Sequence, residues 1–240
     1  MGHRANLVLV ERGSATVRYD HWAACNLSDH LVIGLDHVLR WVRQQEFVGD
    51  HPNGGWLDVV WASGGLTADL DQNRLVWFDL PAHDPGRRQV ILAILARAWP
   101  GWTVEYAARG LGDVAEAAGV PRSRVGDLGP DVRPAATMDA TAVDPSGMSE
   151  AVTEFLDEFT RTHAVETVHP AIQAMEALET CLGLPAGMLN PAIADHHPLV
   201  ATPDEVAAVV AHARELLLSY RESEPLPADR PDIRATPEET

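Results

Sequence analysis

The stretch ANLVLVERGSATVRYDHWAAC, residues 5–25, carries the first fold signal in the chain. Residues 5–11 and 15–23 read as two strands joined through Arg12-Gly13-Ser14, and so tight a hairpin requires antiparallel pairing. Two registers compete. A two-residue turn pairs Leu7 with Arg18 and Leu9 with Thr16. A three-residue turn pairs Leu7 with Tyr19, Leu9 with Val17 and Ala5 with His21. The second keeps one face apolar and is the register the pattern selects. In it His3 and His21 become diagonal neighbours, within roughly 7–8 Å. Arg4, Asn6, Arg18, Asp20 and Trp22 then share the opposite face.

Working outward, 66–70 and 75–80 form a second hairpin around Asp71-Gln72-Asn73-Arg74. Leu35, Val38, Leu39 and Val42 repeat at i, i+3, i+4 and i+7, so 35–46 is an amphipathic helix. His37 lies opposite that stripe and is expected to face solvent. A more buried helix over 88–98 stops at Pro100-Gly101, a strand follows at 102–107 and a short helix at 111–118. Residues 129–147 are rich in proline and small residues without a period, which reads as a linker or long loop. Helices are expected at 148–162, 170–182 and 203–220, the last capped by Thr202 with Pro203 in its first turn.

The resulting class is α+β, with a mixed or antiparallel sheet built on two hairpins and covered on one face by helices, then a helical C-terminal region. The expected boundaries are an α+β domain at 1–128, the linker at 129–147, helices at 148–220 and a flexible acidic tail at 221–240. Strict strand–helix alternation is missing, and the glycine pairs 54–55 and 64–65 do not make a GxGxxG fingerprint, so a dinucleotide fold is not indicated.

Composition removes several functions. The net charge of −17, with no basic stripe, opposes binding to nucleic acid or anionic membranes. All 18 basic residues are arginine. A chain without lysine forms no lysine Schiff base and has no P-loop lysine. Cys25 and Cys181 lack metal-thiolate spacing, and no run is long enough to span a bilayer. The expected compartment is cytoplasmic.

Two imidazoles side by side suggest a metal. The expectation is therefore a metal-dependent enzyme, a non-haem Fe(II) oxygenase acting on a small polar metabolite. His3 and His21 hold the divalent ion and His196, in the loop ADHHPL, completes the set. Arg4, Tyr19 and Asp20 serve catalysis or substrate contact. A zinc or manganese hydrolase fits the same residues. The other expectation is a non-catalytic acidic binding or regulatory protein whose tryptophan-rich sheet meets a basic partner. His163, Glu166 and His169 have the wrong spacing for a helical metal motif, and Pro170 breaks the helix there. Cys25, four residues after His21, is a weak nucleophile candidate. Asp71 reads as opening the second turn, Asp69 as the polar face of its strand, and the tryptophans as core.

Overall fold

The computed structural model describes residues 3–47, 55–126, 148–163 and 201–223. It is an α+β protein built on a six-stranded mixed sheet. The strands are β1 (Arg4–Glu11), β2 (Ser14–Asp20), the two-residue β3 (Glu46–Phe47), β4 (Ala62–Asp69), β5 (Arg74–Phe78) and β6 (Thr103–Tyr106). They lie in the order β3-β2-β1-β4-β5-β6. The helices are α1 (Leu27–Ile33), α2 (Leu35–Gln44), α3 (Pro85–Ala98), α4 (Leu111–Ala117), α5 (Met148–His163) and α6 (Pro203–Ser223). The expected helix at 170–182 and the 129–147 linker lie outside the described residues, as does the expected 221–240 tail except for 221–223, which end α6.

Both hairpins are present and antiparallel, while β1 runs parallel to β4 and β5 parallel to β6. The parallel pairs need crossovers, which α1–α2 and α3 supply. Asp84 starts α3 by accepting the Arg87 amide at 2.8 Å, ahead of Pro85 at the first turn. Thr202 and Glu205 form a reciprocal cap on α6: the Thr202 amide donates to Glu205 Oε2 at 2.8 Å, and Thr202 Oγ1 accepts from the Glu205 amide at 3.3 Å.

The sheet is covered on both faces, not on the one face expected. Leu7, Leu9, Leu66, Leu75 and Trp77 pack under α1, α2, α3, α5 and α6. Val8, Val17, Val76 and Phe78 pack on the other side under α4, Trp56 and Val125.

That second layer corrects the register. Leu7 pairs with Arg18, Leu9 with Thr16 and Ala5 with Asp20, which is the two-residue turn. Arg12 and Gly13 have φ of 54° and 72°, the left-handed pair of a type I′ turn whose twist suits a hairpin. Asp71, from the neighbouring hairpin, accepts the Arg12 amide at 2.8 Å and the Gly13 amide at 2.6 Å and so fixes that conformation. A single apolar face is no guide to register where both faces are buried.

His37 is also corrected, for it is buried rather than solvent-facing. The buried arc of α2 is His37, Val38, Trp41 and Val42, rotated from the stripe that Leu35 and Leu39 suggest. Gly64 has a packing role: a Cβ there would lie 2.7 Å from Ala24 Cβ, so the glycine lets the 23–25 turn approach β4.

Candidate functional site

The one-residue change of register moves His21 to the face it does not share with His3. His21 follows β2 and joins Tyr19 and Arg4. Arg4 Nε donates to Tyr19 Oη at 3.1 Å, and Tyr19 Oη lies 2.7 Å from His21 Nδ1. With Oη accepting from the guanidinium, its own proton is directed to Nδ1, which leaves the hydrogen of the neutral imidazole on Nε2. The Arg4 guanidinium carbon also sits 5.5 Å from the Trp61 ring centroid, a cation–π contact. His21 rests against the Trp22 ring at 5.2 Å.

Trp61 is set by a turn built on Asp58. Asp58 Oδ1 accepts the Val60 amide at 3.0 Å, and its carbonyl accepts the amides of Trp61 at 3.0 Å and Ala62 at 2.9 Å. The buried Asn6 side chain ties this segment to β1: its Nδ2 donates to the Leu57 carbonyl at 2.9 Å, and its Oδ1 accepts the Leu57 amide at 3.1 Å. The outcome is an indole 56% exposed beside Val60 at 76%. Arg4, Tyr19 and His21 are half-buried beneath it. Among the described residues no hydrogen bond uses the terminal guanidinium nitrogens of Arg4.

The other expected site residues are placed elsewhere. His3 is exposed, its carbonyl accepts the Ala24 amide at 3.0 Å, and its ring meets Trp22 edge-on at 6.2 Å. Asp20 is buried, and its Oδ1 caps the following turn by accepting the amides of Trp22 at 2.7 Å and Ala23 at 2.6 Å. That leaves it a structural role. His196, Glu166 and His169 lie outside the described residues. Among the described residues, no group of three or more His, Cys, Asp or Glu side chains is placed to hold a metal ion.

Cys25 is exposed, yet desolvation and then the Asp79 carboxylate push its thiol up, away from the reactive thiolate. Asp69, rather than Asp71, opens the second turn: it is buried, and its Oδ1 accepts the amides of Asp71 and Gln72.

Three features escaped the sequence reading. Trp61 is exposed whereas Trp41, Trp56, Trp77 and Trp99 are buried. His30 and His37 stack as a buried pair beside Trp41. The Asp29 carboxyl is pushed up to about 7, first by burial and then by the opposed influences of Arg87 and of Asp79 and Glu158. Asp79 is raised by burial as well, although it accepts the amides of Ser28 at 2.7 Å and Ala82 at 2.9 Å. The VVW run before Ala62 was the available signal for Trp61, since three successive large apolar residues cannot all point inward from a turn. No protein-family profile, curated protein or solved structure matches the chain.

Proposed function

We propose that the protein is a non-catalytic binding protein for a small anionic ligand bearing an apolar ring, seated on Trp61, Arg4 and His21. The supporting observation is the Arg4 guanidinium, held by Tyr19 against an indole that is more than half in water. Exposed apolar surface rimmed by polar donors is the composition of a ligand site. Arg4 supplies the charge and His21 Nε2 a second donor, so the anion meets two N–H groups while the ring lies along Trp61 and Val60. The local sign is thus opposite to the basic partner that a net charge of −17 suggested.

The test is a titration with phenyl phosphate, followed through the indole and imidazole resonances of Trp61 and His21. Saturable shifts in both are expected. A charge-assisted hydrogen bond contributes about 1.5–3 kcal/mol, so Arg4→Gln weakens binding by about ten- to a hundredfold. Absence of saturation, or equal affinity of the variant, rejects the reading.

A second reading keeps the metal-dependent enzyme, whether an Fe(II) oxygenase or a zinc or manganese hydrolase. What favours it is that one nitrogen of His21 is fixed by Tyr19, the arrangement that orients metal-bound imidazoles. An ion on Nε2 requires the imidazole to donate to Tyr19 instead of accepting from it. Metal analysis of untagged protein distinguishes the readings: stoichiometric metal lost in His21→Ala supports the enzyme, and metal content unchanged by that substitution opposes it.

A further inference from the structure

Away from the Arg4–Trp61 face, two buried imidazoles join α1 and α2 to the start of α6. His30 Nδ1 and His37 Nε2 lie 3.1 Å apart. The two residues are 2% and 5% exposed. His30 is stacked on Trp41 at 3.8 Å, and His37 Nδ1 faces Glu205 Oε1 of α6 at 3.7 Å. Arg40 of α2 pairs with the same carboxylate. Glu205 therefore caps α6 through Thr202 and anchors it to α2. The rest of the attachment is apolar: Val209, Ala213 and Leu216 are buried as α6 packs on α5, α3 and α1.

We propose that His30, His37 and Glu205 form a pH-dependent latch, which holds α6 against α1 and α2 at neutral pH and releases it in mild acid.

The 3.1 Å contact requires one hydrogen between the rings, so the docked pair is either neutral or singly charged with Glu205 as counter-ion. A second proton places two N–H groups head to head in a buried site and breaks the contact. Release of α6 admits water, which solvates both imidazolium rings. The released state thus binds more protons, so docking is complete above the ordinary histidine range of about 6.5 and weakens as pH falls through it.

The charged groups around the pair agree with that sign. On α2, Arg40 repels added positive charge. On α6, burial acts to raise the Glu205 carboxyl, but the Thr202 amide, Arg40 and His37 outweigh it and hold the group below its ordinary range, so it stays anionic across the window. His212, one helical turn before Leu216, has a buried Nδ1 with no hydrogen-bond partner among the described residues. The charges acting on Asp29 of α1 are Arg87 and Glu158, which form an ion pair between α3 and α5, together with Asp79.

Hydrogen exchange on the full chain between pH 8 and pH 5, corrected for intrinsic rates, tests the latch. Protection of amides 203–223 should fall about tenfold per pH unit below 6.5 for one extra proton, while β4 amides keep theirs. His37→Gln should flatten that dependence while leaving β4 protected. Parallel loss in α6 and β4, or a selective loss that persists in both His37→Gln and His30→Gln, overturns the proposal. Should the variants lose β4 protection even at pH 8, the imidazole resonances of the wild-type chain decide. Titration of His30 and His37 in step with α6 release supports the latch, and titration separated from release by more than about one pH unit refutes it.

Discussion

Replacing Asp29 by Asn should stabilise the protein, and by an amount that depends on pH. Burial of the Asp29 carboxyl on α1, opposed by Arg87 and reinforced by Asp79 and Glu158, raises it from the ordinary 3.8 to about 7. Below 3.8 the folded and unfolded chains both hold the proton, and the group has no effect. Between 3.8 and about 7 the unfolded chain ionises while the folded one does not, so stability falls as pH rises. Above that window the full penalty applies. At 1.36 kcal/mol per unit the shift corresponds to about 4 kcal/mol. Because Asp29 is only partly buried at its surface, solvent reduces this to roughly 2 kcal/mol. Asparagine matches the protonated carboxyl in shape and cannot ionise. Urea unfolding at constant ionic strength should find Asp29→Asn more stable than wild type by about 2 kcal/mol at pH 8 and by only about 0.5 kcal/mol at pH 4. No gain at pH 8, or a gain unchanged at pH 4, would show that the Asp29 carboxyl is not raised by folding.

Asn6→Ala leaves the Leu57 amide and carbonyl unpaired and should cost about 2–4 kcal/mol, with near-ultraviolet dichroism reporting the release of Trp61 from β1. Gly64→Ala forces a methyl group against Ala24 and should cost about 1–3 kcal/mol, measured by chemical denaturation. Asp71→Ala removes the acceptor for the Gly13 and Arg12 amides, which hold its carboxyl below the usual range. Its stabilising effect is present above the ordinary carboxylate range and lost as pH falls through the lower folded value. The melting temperatures of Asp71→Ala and wild type should therefore differ at pH 7 and converge in acid.

β1, β2, β4, β5, β6, both hairpins, α2, α3, α4 and the cap of α6 were legible because they rest on local chemistry: periodicity, turn residues and helix stops. By contrast, α1 and the two-residue β3 carry too short a pattern to show. The parallel β1–β4 pairing was not, since nothing in the β1 pattern distinguishes a parallel neighbour from an antiparallel one. Register failed for a related reason. Alternation chooses a register when one face is wet, and here Val8 and Val17 are buried as well as Leu7 and Leu9. The decisive contact came from Asp71, about sixty residues downstream of the turn it fixes. That error carried His21 to the wrong face, and with it the supposed pairing with His3. Arg4 and Tyr19 lie beside His21, although the expected register placed Arg4 on the opposite face. Asp20 looked like a free carboxylate because a turn cap is invisible until the chain bends at Trp22. His37 was misplaced because the helix angle of a side chain says where it points and not which neighbours cover it.

The most direct test of the central claim is the imidazole and indole response to phenyl phosphate in wild type and Arg4→Gln at the same pH. Saturable, concerted shifts at His21 and Trp61 are expected, with affinity about ten- to a hundredfold weaker in the variant. Shifts that fail to saturate, or that are identical in the two proteins, would contradict the claim.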